Sequence, residues 1–315
     1  MYRSSDLPIP VSYTSTSYKD IIISHVPADA PTATKVIVIT LSRPQKHNAV
    51  NQNILNELES AYDILNRDER VRAIVLTGAG KSYCVGMDLS DGPKGLMKIK
   101  QNEETMKHWK DPGGRVALAM SNCIKPTIVA VNGAAAGFGL TSMMSATIRV
   151  AWKDAKISMP FARRGFTMES LSAFYLPKLI GLSKAMHIMT TGNIYSASDP
   201  MVSGLFSKLC STPEDTLKYA IETAIDIAEN TSLTSTKMMR DLMLYCPSTP
   251  EETHILDSRV FIAAAGSADN VEGIKAFMEK RKPAFSGDID RAALPFWPWW
   301  KQGADESISG LKAKL

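Results

Sequence analysis

The stretch Pro126–Ile148 reads PTIVAVNGAAAGFGLTSMMSATI and contains no charged residue. It is long enough to cross a bilayer as one helix. The alternative is that the same residues form the interior of a globular fold. The interruption in the middle decides between them. Asn132 and Gly133 form a turn signal, and the small residues of GAAAGFG extend it. The β-branched run before the turn predicts a buried strand, and the segment after it predicts the start of a helix. A strand, a glycine-rich turn and a helix are therefore expected here, with no membrane span.

The neighbouring segments repeat this grammar. KVIVITLS (Lys35–Ser42) is a short β-branched run, hence a strand, and it ends in the Pro-containing turn RPQKHNAV. In NQNILNELESAYDILNRDE the apolar residues Ile54, Leu55, Leu58, Ala61, Ile64 and Leu65 recur at helical spacing. RAIVLTGAGKSYCVGMDL predicts a strand at Ala73–Thr77, a glycine turn, a short strand through Tyr83–Val85 and a corner at Gly86. Residues 90–112 are polar and predict an irregular loop. GGRVALAMSNCI predicts a helix, and TIRVAW and AKISM predict short strands. From Met168 onward the pattern is mostly helical, with a tail containing PFWPWW (Pro295–Trp300). Strand–helix pairs followed by helices predict an α/β core with a helical C-terminal region.

With 315 residues, the chain has ample material for a core. Its 44% hydrophobic and 22% charged residues are those of a soluble globular protein. The net charge of +4 comes from scattered basic residues, which argues against nucleic acid as a partner but suits a phosphorylated ligand. Cys84, Cys123, Cys210 and Cys246 show no zinc or CxxC spacing, so reduced thiols of an intracellular protein and no metal site are expected. Residues 1–18 are rich in Ser, Thr and Pro without an apolar signal region, and a loose leader is expected. The chain ends in Ala313-Lys314-Leu315, a close variant of the S-K-L tripeptide read by the peroxisomal import receptor. A plain tail is the competing interpretation.

Two glycine corners carry the chemistry. In YCVGMD a strand ends at Gly86, and in NGAAAGFGLTS a helix begins near Gly137–Gly139. Backbone N–H groups at such corners lack partners and can hold a negative oxygen. If the N–H groups of Met87 and Phe138 converge, they form an oxyanion hole. Glycine pattern alone favours ordinary strand–turn–helix joints over an oxyanion hole.

The segments LSRPQKHNAV, VLTGAGKSYCVGMDL, KPTIVAVNGAAAGFG, the Pro160 region, LPKLIGLSKAMHIMTTGNIYSASDPMVSGLFSKL and EGIKAFMEKRKPAF occur in this order from about Lys19 to Phe285. Together they resemble the crotonase, or enoyl-CoA hydratase/isomerase, superfamily. The resemblance implies a spiral of ββα units over residues 19–205, a helical trimerisation region over 206–285 and a tail over 286–315. It implies self-association as a trimer or a dimer of trimers. It also implies an acyl-CoA thioester substrate with no separate cofactor. The thioester oxygen would be held by the N–H groups of Met87 and Phe138, with Val85, Gly86 and Gly137 shaping that corner. Arg43, Lys46 and His47 would contact CoA, and Phe277, Lys280 and Lys282 would reach the CoA of a neighbouring subunit. A solvated turn and a basic helix face explain these last two groups equally well.

Hydratases of the family carry two glutamates that hold and deprotonate water. Thr141 and Phe161 stand at those positions here. Neither side chain accepts a proton from water at neutral pH. Glu169, in FARRGFTMESL (Phe161–Leu171), falls where the resembling peroxisomal 3-enoyl-CoA to 2-enoyl-CoA isomerases place one catalytic glutamate. Phe138, Phe161, Phe166 and Met168 are expected to dehydrate it and to raise its pKa. The resemblance thus implies a peroxisomal isomerase of fatty-acid β-oxidation type with Glu169 as base. A hydratase or dehydratase of a specialised-metabolite pathway (toxin or siderophore), with water held by Thr141, is the enzymatic alternative. A non-catalytic acyl-CoA-binding subunit is the alternative of another class.

Overall fold

The computed structural model describes residues 7–90, 94–285 and 294–301. Its contacts divide the chain into two units, Met1–Ala228 and Glu229–Leu315.

The first unit carries ten strands: β1 (Ile21–Val26), β2 (Val36–Leu41), β3 (Ala73–Gly78), β4 (Ser82–Cys84), β5 (Thr127–Val131), β6 (Ala134–Ala136), β7 (Ile148–Trp152), β8 (Lys156–Ser158), β9 (Ile194–Ser196) and β10 (Lys208–Cys210). They form a six-stranded sheet ordered β1-β2-β3-β5-β7-β10 and a four-stranded sheet ordered β4-β6-β8-β9. The pairs β3/β4, β5/β6 and β7/β8 each give one strand to the large sheet and the next to the small one. This is the spiral that the ββα expectation requires. The large sheet is parallel from β2 to β10, and only β1 joins it antiparallel. Parallel strands need crossovers, which helices supply here. They are α1 (Gln52–Arg67), α2 (Lys94–Lys100), α3 (Glu103–His108), α4 (Pro112–Asn122), α5 (Phe138–Thr141), α6 (Ser172–Ile180) and α7 (Leu182–Thr191); α8 (Pro213–Asn230) follows the last strand.

Ala220, Ala224 and Ala228, spaced four apart on α8, pack against Val36, Val38, Val75, Ile128 and Val150 of the large sheet. Small side chains on one helical stripe let the helix approach the sheet closely. The domain boundary expected at 205/206 is corrected by these contacts. Lys208–Cys210 pairs with Val150–Trp152 as the sixth strand, and α8 covers the sheet, so the core runs to residue 228.

The deciding stretch folds as β5, β6, α5 and a 3-10 turn at Ser142–Ser145. Among the described residues, no helix is long and apolar enough to cross a membrane. Ala134–Ala136, expected as turn, is a strand of the small sheet, because its alanines fit between β4 and β8. Residues 94–108, expected as irregular loop, form α2 and α3, and an Asn102 side-chain cap on the Thr105 N–H starts α3. Within the expected leader, the described residues are anchored at Tyr13. Tyr13 is buried, its hydroxyl donates to Asp68 at 2.9 Å and its N–H donates to His25 at 3.1 Å.

The second unit holds α9 (Leu233–Leu244), α10 (Pro250–Ala264) and α11 (Ala268–Met278). Met238, Val260 and Leu294 form its small core, with Trp297 and Trp299 packed against them. The PFWPWW tail is therefore packing material. Ala313-Lys314-Leu315 lies outside the described residues.

Candidate active site

The two glycine corners meet. A side chain carbon placed on Gly86 would lie 3.7 Å from the Gly137 Cα. Both glycines have positive φ, +97° and +50°, which bulkier residues adopt at a cost. The Val50 N–H donates to the Gly86 carbonyl and the Asp88 N–H to the Val50 carbonyl, both at 2.8 Å. Met87 thus sits opposite Val50 in a parallel bridge, and its own N–H points away from that partner. Among the described residues, neither the Met87 N–H nor the Phe138 N–H donates to a protein acceptor. Two unpaired amides therefore leave adjoining corners, as an oxyanion hole requires.

Glu169 lies 28 residues beyond Thr141 in sequence and touches it in space. The Thr141 hydroxyl donates to Glu169 Oε1, and the Ser170 hydroxyl donates to Oε2. Thr141 is fully buried on α5, in the same turn that begins with Phe138. Burial pushes the Glu169 carboxyl above the usual carboxylate range, the two hydroxyl donors oppose that shift, and the nearby Asp111 charge reinforces it. Desolvation wins, as expected, but with different neighbours. Phe138 is buried and its ring and Glu169 Oε2 both flank Gly113, whereas Phe166 is 44% exposed. Phe161 reaches within 3.9 Å of the carbon a side chain would place on Gly137, so an aromatic ring covers the corner where hydratases would hold a glutamate.

Gly113, Asp111 and Ser170 belong to this cluster and were not picked out in the sequence. A side chain on Gly113 would collide with Ser170 Oγ and Glu169 Oε2 and come within 3.0 Å of the Phe138 ring. Asp111 caps α4 by accepting from the Gly113 and Gly114 N–H groups at 2.9 and 2.7 Å, and it also accepts from the Ser170 N–H at 2.9 Å. The signal in the sequence was Asp-Pro-Gly-Gly, an N-cap followed by proline at the first helical position.

Of the residues expected at CoA, Lys46 and His47 are exposed beside the corner. Arg43 is turned inward: its guanidinium donates to the Ala49 carbonyl and pairs with Asp88 at 3.2 Å. That pair braces the Met87 corner. Val85 is 37% exposed next to it. In the second unit, Phe277 is exposed, Lys280 takes a left-handed backbone conformation at the end of α11, and Lys282 pairs with Glu229 at 2.9 Å.

Comparison with known proteins agrees with this geometry. Residues 32–288 match the family model described as enoyl-CoA hydratase/isomerase. Enoyl-CoA hydratase AKT3-2 of Alternaria alternata is 40% identical over 274 residues, covering 87% of this chain and 89% of the relative. The 1,2-epoxyphenylacetyl-CoA isomerase of Escherichia coli is 29% identical over 85% of this chain and 99% of its own. The crystal structure of an enoyl-CoA hydratase from Bacillus anthracis superposes with a TM-score of 0.74 at 25% identity, covering 86% of this chain and all of that one.

Proposed function

The chain belongs to the enoyl-CoA hydratase/isomerase family, and we propose that within it this protein moves the double bond of a 3-enoyl-CoA to the 2-position with Glu169 as its one base. The observation that carries this is a single half-buried carboxylate, gripped by two hydroxyls, next to two unpaired backbone amides.

The protons on C2 of a 3-enoyl thioester are acidic because the carbonyl and the alkene share the resulting charge. Glu169 takes one of them. The electron pair spreads into a dienolate whose charge rests largely on the thioester oxygen. The Met87 and Phe138 N–H groups offset that charge; losing one such donor costs about 2.7–4 kcal/mol of barrier in comparable sites. The protonated Glu169 then gives its proton to C4. One proton leaves and one returns, no water is consumed and no cofactor is needed. Thr141 and Ser170 keep the carboxyl aimed while it changes charge.

A second reading draws on relatives such as the Alternaria protein, which are named enoyl-CoA hydratases. Hydration would require water beside Glu169, with Thr141 as its second holder. The Thr141 hydroxyl donates to Glu169 and could still accept from that water. It cannot take a proton from it as a second carboxylate would, which disfavours hydration. A purely acyl-CoA-binding role is disfavoured by the acid itself, since binding requires no base there. Self-association of this protein and import into the peroxisome through the C-terminal tripeptide belong to the same proposal.

Incubation with 3-hexenoyl-CoA and with 2-hexenoyl-CoA separates these readings. Isomerisation of the first, with little hydration of the second, is expected. Hydroxyacyl-CoA from the 2-enoyl substrate, with no bond migration in the 3-enoyl one, would replace the isomerase assignment by the hydratase one.

A further inference from the structure

Ser170 and Leu171 directly follow Glu169, and both have left-handed backbones, with φ of +52° and +61°. Neither is glycine, and a bulky leucine there is unusual. Such a conformation persists only where its surroundings hold it, and it tends to cluster at functional sites. The Ser172 hydroxyl holds this turn locally by donating to the Glu169 carbonyl at 2.6 Å, and the long-range side-chain hold comes from Asp111, 59 residues earlier. One of its oxygens accepts from the Gly113 N–H at 2.9 Å, and the other accepts from the Gly114 N–H at 2.7 Å and the Ser170 N–H at 2.9 Å. Ser170 in turn donates its hydroxyl to Glu169. The chain of contacts runs from α4 through Asp111 and Ser170 to Glu169.

We infer that Asp111 is a positioning residue, which ties the left-handed Ser170 turn to the start of α4 and so aims the Glu169 carboxyl at the reacting carbons. The inference rests on Glu169 being the base. Asp111 touches no reacting atom in this scheme. Its carboxylate has two acceptor oxygens: one caps the helix at Gly113, and the other both caps it at Gly114 and fixes the turn at Ser170. A serine at this place caps a helix about as well as aspartate. Its single short hydroxyl cannot also reach the Ser170 N–H. The two tasks can therefore be separated experimentally.

The test measures kcat, KM and melting temperature on 3-hexenoyl-CoA for Asp111→Ser, Asp111→Asn and, as control, Glu169→Gln. Misaiming a catalytic group by about 1 Å costs up to roughly a hundredfold in rate. Asp111→Ser is expected to keep the melting temperature and KM near wild type while kcat falls about tenfold to a hundredfold. Asp111→Asn keeps the shape but has one acceptor oxygen where the carboxylate has two, so its NH2 must face at least one of the three N–H groups, and the same split is expected in smaller degree. Wild-type kcat in a folded Asp111→Ser protein, with Glu169→Gln inactive, would overturn the positioning role and leave the base intact. Full activity of Glu169→Gln would overturn both. Should Asp111→Ser not fold, the kcat-to-KM split in Asp111→Asn decides alone, and an equal loss through KM would count against the proposal.

Discussion

Glu169 concentrates the opposing demands of this fold. A base must be ionised to act, yet burial holds its carboxyl above the ordinary glutamate range. Between the unfolded and the raised folded pKa, the folded chain holds a proton that the unfolded chain releases. Stability therefore falls as pH rises through that window, and above it the ionised carboxylate remains a fixed cost. Glu169→Gln should melt higher than wild type at pH 8, with the advantage shrinking toward pH 5, while turnover falls by at least about a hundredfold. Calorimetry at the two pH values, beside a rate assay, checks both signs. In the wild type, kcat/KM should drop on the acid side with an inflection above that of a free glutamate. Gly113 gives a steric test of the same atom. Gly113→Ala adds a carbon against Ser170 Oγ, Glu169 Oε2 and the Phe138 ring. It sits in the first turn of a helix, where alanine is favoured over glycine by roughly 0.5–1 kcal/mol, so the helix should survive. A loss of kcat with unchanged circular dichroism is the expected result; unchanged kcat would mean that Glu169 does not work from this position.

Elements with a continuous apolar signature were legible in the sequence, and the short strands of the later part of the core were not. Lys35–Ser42 and Ala73–Thr77 are β-branched runs, and the strands fall at Val36–Leu41 and Ala73–Gly78. The three-residue strands β9 and β10 carry too few side chains to show alternation, and they exist because a neighbouring strand offers its edge. At the site, the glycine corners and Glu169 could be read from local pattern and family resemblance. The Asp111–Ser170 and Tyr13–Asp68 bonds join residues 59 and 55 apart, and no periodicity encodes them. The same holds in the second unit, where Asp241 accepts from Lys237 at 2.6 Å and from the Trp297 indole at 2.9 Å. The side chains of Lys237 and Asp241 are almost wholly buried. Removing Asp241 takes its counter-charge from buried Lys237, and breaking a buried pair costs up to about 3–5 kcal/mol. Asp241→Ala should therefore lower the urea midpoint sharply and expose the Trp297 fluorophore. The paired change Lys237→Met with Asp241→Leu should cost less, since the Lys237 charge leaves with its partner, while buried Arg240 still loses its 3.8 Å contact to Asp241.

At the scale of the whole molecule, the surface of the second unit carries an unusual load of apolar side chains. Phe261, Ile262, Phe277 and Met278 are each at least 69% exposed, and Met243 is similarly open. Scattered apolar residues on a surface are normal, but Phe261 with Ile262 and Phe277 with Met278 are adjacent pairs near the ends of α10 and α11. Exposed apolar side chains gathered on two neighbouring segments of the chain are the feature from which self-association is predicted. In a family whose resemblance implies trimers, the simplest occupant is a second copy of the chain. The wild type should sediment as a multiple of the chain mass at micromolar concentration. Phe261→Asp and Phe277→Asp each place a charge where a partner would desolvate it, and a buried unpaired charge costs several kcal/mol. Each variant should shift the distribution toward monomer while leaving the circular dichroism of the α/β unit unchanged, because neither side chain enters a core of its own chain. A wild type that sediments as monomer at all accessible concentrations would remove self-association from the account. The isomerase assignment would stand, since every group it uses, from Met87 to Ser170, lies within the first unit.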